Sequence, residues 1–447
     1  MTVRAILGVL GLCVASLIQA QDMRIHGSNT VGAALAPALV KAWLSNSGYR
    51  IFSEVETAPL ERRIIARKGA RSLTIELHSH GSSTGFRDVL AGGADVAMSS
   101  RPIRETEAAR FAETLGGFDP IADEYVVALD GIAVIVNPAN PTRQLSKVQL
   151  ESIFSGAVRD WGELGWSGGA INLYARDDRS GTFDTFANLV LGDASLAGTA
   201  RRYESNQLLS DDVARDRGGI GFVSLPNIRS SKAVSIFEDR TQPLLPTPFA
   251  VATEDYALAR RLFFYVPASG RNAVTEAFLE FAQSQRGQAV AEARGYVAQY
   301  LYRAKPFLPD DAPTDYAALV EGAERLSVNI RFRPGATRLD SKAERDLERI
   351  RRFVQTEGER YAVMLMGFAD AQETSPAFAT QLSLVRAEYI GSRLQRLGVQ
   401  PTRIRGYGPA LPVASNQSEG GRQKNRRVEI WVYDTERFRP PMGMIGS

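Results

Sequence analysis

Residues 175–186 read ARDDRSGTFDTF: an arginine, two aspartates and a second arginine ahead of Ser180-Gly181-Thr182 and a run with the composition of a helix start. The first N–H groups of a helix have no partner inside it, and its N-terminal end carries partial positive charge. Hydroxyls and a glycine at such an end let an anion approach the backbone closely, so the stretch reads as an oxyanion seat. The plain alternative is a helix capped by Ser180.

Two other stretches repeat the design. RIHGSNTVGAALAPALVKAW (24–43) runs from a strand through a turn of glycine and hydroxyls into a helix. HGSSTGFRDVLAGGADVAMSSRPI (80–103) opens a helix with Ser82, Ser83, Thr84 and Gly85 and follows the next strand with Ser99-Ser100-Arg101. Three hydroxyl-rich helix starts are hard to explain as unrelated caps. Helical segments such as PALVKAWL and VQLESIF alternate with the apolar strand run YVVALDGIAVIV, which is α/β patterning.

The chain has 447 residues, enough for about three compact units. Arg4 and the apolar run AILGVLGLCVASLI up to Ala20 read as a secretory signal peptide over residues 1–20. That run is short for a membrane span. Cys13 is the only cysteine and lies within it, so the exported part can form no internal disulfide. His26, His78 and His80 are too sparsely accompanied to argue for a metal, and no cofactor is expected.

The segment AKPFLPDDAPTD has the composition of a linker, assigned to 304–325. Beyond it, SVNIRF and YAVMLMGF read as strands, AERDLERIRRFVQ and LSLVRAEYIGSRLQRLG as helices, and RRVEIWVYD as a closing strand, a βαβαβ-type α+β unit over 326–437 with a tail at 438–447. Residues 325–437 carry 20 Lys/Arg against 13 Asp/Glu, whereas 21–324 are net negative. A basic exported unit suits an anionic polymer.

GSNTV, GSSTGF, DVAMSSRPI, LSKVQLESIFSGAVRDWGELG, RDDRSGT, GGIGFVSL and FLEFAQSQRGQAVAEARGYV, in this order, resemble the PstS-type periplasmic phosphate-binding proteins of ABC transporters. The resemblance covers residues 21–303. It implies a two-lobed type II periplasmic binding protein fold that closes on dehydrated phosphate. The implied ligands are Thr30, Val31, Ser83, Arg176, Ser180, Gly181 and Thr182, with Asp178 orienting Arg176. Where some members place an aspartate that accepts the proton of monohydrogen phosphate, this chain has Ser100, which can accept or donate.

MGFADAQETSPAFATQLSLVRAEYIGSRLQRLGVQPTRIRGYGPALPVASNQSEGGRQKNRRVEI (366–430) resembles the OmpA-like peptidoglycan-binding domain. The resemblance implies that Asp370 and Arg386 grip the amine and carboxylate of diaminopimelate in the wall stem peptide. The chain departs from that pattern at Phe368-Ala369 and Ala379, and the loop before Arg386 is one residue longer.

Together these readings predict a periplasmic phosphate or oxyanion receptor held to peptidoglycan in a Gram-negative envelope, close to the outer membrane, by a signal that also permits secretion. It would act in capture, sensing or transport, with a phosphate ABC transporter permease as a candidate partner and no nucleic acid. The alternative is an envelope scaffold or adhesion protein with a degenerate anion lobe. An esterase built on Ser180 is disfavoured, since no histidine is close in sequence and no Walker lysine is present.

Overall fold

The computed structural model describes residues 22–119, 121–178, 180–332 and 339–436. The expected signal peptide with Cys13, and the tail 438–447, lie outside the described residues. Thirteen strands precede residue 300: β1 Met23–Gly27, β2 Arg50–Ala58, β3 Glu61–Lys68, β4 Arg71–His78, β5 Val96–Ser99, β6 Glu124–Val136, β7 Gln144–Ser146, β8 Asn172–Arg176, β9 Arg201–Tyr203, β10 Gly219–Ser224, β11 Lys232–Ala233, β12 Ser235–Phe237 and β13 Ala259–Tyr265.

Eleven of them form one sheet in the order β2-β3-β4-β1-β5-β13-β6-β10-β8-β9, with β11 also on β6, while β12 and β7 pair separately. β1 runs parallel to β4 and β5, and β13 runs antiparallel to β5 and β6. The long strand β6 is the apolar run of the sequence, and every residue but Tyr125 is buried, as a strand covered on both faces requires. Val127 and Ala128 pack with Ile25, Leu39, Trp43 and Phe264 in one core, whereas Leu129, Ile132 and Val134 pack with Phe154, Trp161, Phe186 and Phe222 in another. β6 and β13 therefore pass from one core to the other, which makes the sheet two lobes.

Five strands follow: β14 Arg303–Ala304, β15 Glu324–Arg331, β16 Tyr361–Gly367, β17 Pro401–Gly406 and β18 Arg427–Asp434, in the order β14-β15-β18-β16-β17. The helices Ser341–Glu357 and Pro376–Arg396 cover one face with Leu347, Ile350, Ile390 and Leu394.

The other face corrects the expectation of a linker at 304–325. Ala304 pairs with Arg325 in the sheet, and Thr314–Val320 is a helix whose Tyr316, Leu319 and Val320 pack on Met364, Met366, Trp431 and Tyr433. The cause is legible in β16: all seven residues of YAVMLMG are buried, so that strand needs a cover on both sides, and the proline-flanked helix supplies the second.

The two domains join through buried charge. Arg331 donates to Glu254 Oε2 at 3.0 Å and to Thr253 O at 2.9 Å; Arg325 pairs with Asp255 at 3.0 Å; and Asn329 donates to Asp255 and Thr253, both at 2.8 Å. Arg261 of β13 bridges Glu254 and Asp340. Burial alone would raise the Glu254 carboxyl, but Arg261 and Arg331 hold it well below the ordinary carboxylate range. Glu429 is likewise pushed up by burial and pulled down further by Arg325 and Arg427, to about 2.

A carboxyl depressed in the folded state contributes stability above its unfolded pKa of about 4.3, and loses it as pH falls through the folded value. Acid unfolding is therefore expected to steepen between about pH 4 and pH 2. Glu254→Gln, which removes the carboxylate shared by two buried guanidiniums and leaves Arg261 with Asp340 and Arg331 with Thr253 O, is expected to cost roughly 3 kcal/mol at pH 7 and to flatten part of the acid limb. Urea melts of both proteins across pH check this; equal stabilities at pH 7 would remove Glu254 from the joint.

Candidate functional site

The first turn follows β1. Gly32 N donates to Ser28 O at 2.8 Å, which is the first i→i−4 bond of the helical run, so the N–H groups of Thr30 and Val31 lie ahead of it. In the second turn Thr84 N bonds Gly81 O, so the N–H groups of Ser82 and Ser83 open the helix Ser82–Leu90 ahead of its first bond. In the third, Asp184 N bonds Ser180 O, so the N–H groups of Gly181 and Thr182 open the helix Gly181–Phe186 ahead of its first bond. Ser180 Oγ also accepts from Phe183 N, so its hydroxyl serves as a cap and its position as part of the seat.

These turns are tied together. Gly81 N donates to Gly27 O and Ser28 N to Met98 O, both within 2.9 Å, and Ser100 N donates to Ser82 Oγ at 3.2 Å. A Cβ at Gly181 would collide with Thr30, so glycine is what lets the first and third turns meet across the lobes. Ser28 Oγ and Thr30 Oγ1 are buried there and have no protein partner. Leaving two buried hydroxyls unpaired is costly in an apolar setting and ordinary in a ligand seat.

Beneath the third turn lies a fully buried ion pair. Arg260 of β13 donates to Asp130 Oδ2 of β6 from Nε at 2.9 Å and Nη2 at 2.6 Å, and its Nη1 reaches Gly181 O at 2.6 Å and Thr185 Oγ1. Tyr296 donates to Thr30 O at 2.9 Å and fixes the first turn from the other side.

Arg176, at the end of β8, donates to the carbonyls of Tyr203 at 3.1 Å and Glu204 at 2.7 Å. Burial works against its charge, which Asp177 and Glu204 support. Asp178 does not orient it: that carboxylate is 86% exposed and pairs with Arg202, which also stacks over Phe183 at 4.1 Å. Sequence spacing placed Asp178 near Arg176, but the strand ends at Arg176, Arg202 takes the Asp178 carboxylate, and the carbonyls of Tyr203 and Glu204 hold the guanidinium.

Sequence reading also passed over Arg101. Its Nη2 donates to Ser83 Oγ at 3.0 Å while Glu107 clamps it at 2.7 and 2.8 Å. The signal was the arginine in SSRPI, directly after the strand that ends beside the second turn.

In the C-terminal domain Asp370 is fully buried, with Oδ2 taken by Arg426 Nε at 2.6 Å and Oδ1 by Gln372 N at 2.8 Å. Arg386 is clamped in bidentate fashion by Glu373, one arm at 2.7 Å, under the Phe332 ring. The two groups are brought into one cluster, since Arg426 also lies 3.9 Å from Glu373, and each already has an internal partner. Arg427 is a brace within the sheet, paired with Glu429 at 2.8 Å.

Fold and site define a two-lobed binding-protein domain fused to an α+β domain in which a buried aspartate and a buried arginine are each paired internally. The chain belongs to the PBP superfamily, whose domain matches residues 56–286, and its C-terminal part matches the OmpA family over residues 331–426. It is 31% identical over 227 residues to the phosphate-binding protein PstS of Staphylococcus aureus, covering 49% of this chain and 67% of that protein. Among solved structures, an ABC-type phosphate transport receptor from Vibrio cholerae is 24% identical, covering 62% of this chain and 99% of that one, with a TM-score of 0.49. The periplasmic domain of Helicobacter pylori MotB is 24% identical, covering 26% of this chain and 76% of that one, with a TM-score of 0.23. The family relation makes the N-terminal domain a binding protein and not an enzyme.

Gly181→Ala is expected to hold the lobes apart at the Thr30 contact at a cost of about 1–3 kcal/mol. A larger radius of gyration in X-ray scattering, with a lowered melting temperature, is the expected result. An unchanged radius would mean that Thr30 swings aside.

Proposed function

We propose that this chain binds inorganic phosphate between its lobes and is held to peptidoglycan by its C-terminal domain, as a fixed receptor of the cell envelope acting in phosphate capture or sensing. The observation that carries the reading is the meeting of the first and third helix starts at Thr30 and Gly181, where Ser28 Oγ and Thr30 Oγ1 are buried hydroxyls without protein partners. Backbone N–H groups and hydroxyls suit an oxyanion, and a guanidinium fork suits its paired oxygens. The relative's name, a phosphate-binding protein, supports the choice of anion. Thr30, Val31, Ser83, Ser100, Arg176, Ser180, Gly181 and Thr182 are the proposed ligands, and Asp370 and Arg386 the wall contacts.

Calorimetric titration of the full chain, stripped of anion by unfolding and refolding, tests the first half. Phosphate should bind at one site per chain, and Arg176→Ala should weaken it by about 10–150-fold, the worth of a charged hydrogen bond. Ser100→Asp should suppress sulfate relative to phosphate, because an ionised carboxylate only accepts and repels an anion with no proton to give. Absence of binding to phosphate, sulfate and arsenate would leave the scaffold reading.

The second half has its own test. Glu373 occupies Arg386 as a ligand carboxylate would, so binding to wall must displace it. Glu373→Gln is therefore expected to raise affinity for purified peptidoglycan several-fold, and Arg386→Ala to abolish sedimentation with it. Equal sedimentation of wild type and Arg386→Ala would sink the anchoring role of this site.

A further inference from the structure

The three histidines, far apart or unpromising in sequence, meet on one face of the first lobe. β1 and β4 are parallel neighbours with His26 opposite His78, and β3 sets Glu61 opposite His78. Side chains two apart share a face, so Glu76, His78, His26 and Glu61 project together. The imidazoles of His26 and His78 stack with centroids 3.9 Å apart.

From this cluster we propose a divalent transition-metal site, of the zinc class, with His26 Nε2, His78 Nε2 and Glu76 Oε1 as ligands and Glu61 as the candidate fourth. Each of the three atoms lies within 4.8 Å of the others. His78 Nε2 is 2.8 Å and His26 Nε2 is 3.8 Å from Glu76 Oε1, and Glu61 Oε2 is 3.6 Å from His78 Nε2. Ligands at about 2.1 Å from a tetrahedral ion stand roughly 3.4 Å apart, which these separations bracket. Two imidazoles with carboxylates suit zinc or a neighbouring transition metal better than magnesium or calcium.

The decisive atom is His26 Nε2. His26 is 5% exposed, and this nitrogen is buried with no hydrogen-bond partner. Its other nitrogen, Nδ1, lies 3.0 Å from Asp88 Oδ2 on the helix Ser82–Leu90. An ionised carboxylate only accepts, so Nδ1 carries the hydrogen and Nε2 presents a bare lone pair to the cluster. A carboxylate behind a ligating imidazole fixes both its tautomer and its orientation.

The remaining neighbours are arranged to suit. Arg63 faces the far oxygen of Glu76, Oε2, at 3.9 Å, leaving Oε1 to the cluster, and His80 holds Glu61 Oε1 at 3.0 Å, leaving Oε2.

The full chain, stripped with chelator and dialysed into phosphate-free buffer at pH 7.5, is titrated with zinc by calorimetry and with cobalt by visible absorption. One ion per chain and the intense visible bands of low-coordinate cobalt are expected. His78→Asn and Glu76→Gln should each abolish the stoichiometric step, and Asp88→Asn, which touches only the back of His26, should weaken it by about 10–100-fold. Circular dichroism melts in chelator establish that each variant is folded. No stoichiometric zinc on the wild-type chain would overturn the proposal without reference to any variant. Binding unchanged in a folded His78→Asn would overturn the ligand set.

Discussion

The pair Asp130–Arg260 is the constraint on which the N-terminal domain turns. It lies where β6 and β13 leave one core for the other, with both side chains almost wholly excluded from water. Removing two charges from water is expensive, and their mutual attraction offsets this only when further hydrogen bonds complete the geometry. Here those bonds come from Gly181 and Thr185, at the third helix start. The pair thus aims the third turn at the first while joining the strands that link the lobes. A hydrophobic pair of equal volume could fill the space, but it would not fix the direction of the Gly181 carbonyl.

The C-terminal domain contacts both lobes. Ser341 and Arg345 reach Glu124 of β6, and Arg349 reaches Gln283, all in the first lobe. Ser415 N donates to Glu238 at 2.6 Å, and Arg325 and Arg331 hold Asp255 and Glu254, on the second lobe's side. A random-coil tether between 304 and 325 would leave lobe motion independent of the anchor. A charged joint across both lobes instead ties their separation to the packing of the C-terminal domain.

Much of this was legible because the information was local. Each helix start declares itself by a hydroxyl and glycine turn after an apolar run, and β6 by thirteen residues with hardly a polar break. The C-terminal strands and helices follow from period alone. What escaped was set by approach between distant segments. AKPFLPDDAPTD has linker composition, yet the helix after it is fixed by the uncovered face of a strand about fifty residues further on. Asp178 is near Arg176 in sequence, but Arg202 on the neighbouring strand captures it. His26 and His78 are 52 positions apart, and only the parallel pairing of β1 with β4 stacks them. Charged and imidazole side chains carry no periodic signature, so their partners are decided by tertiary register.

The two recognition sites differ in how they stand when empty. At the lobe junction the buried hydroxyls of Ser28 and Thr30 have no protein partner, so the proposed anion would gain bonds there with little to displace. At the proposed wall site Asp370 is matched by Arg426 and Arg386 by Glu373, so the proposed zwitterion would have to exchange partners to enter. The first arrangement stores its cost in the free fold and returns it as affinity. The second is stable when free and binds by competition, which lowers affinity but rejects any ligand unable to replace both charges at once. A repetitive polymer that offers the same zwitterion many times over can hold a chain through such weak, selective contacts, whereas a scarce dissolved anion calls for the unpaired seat.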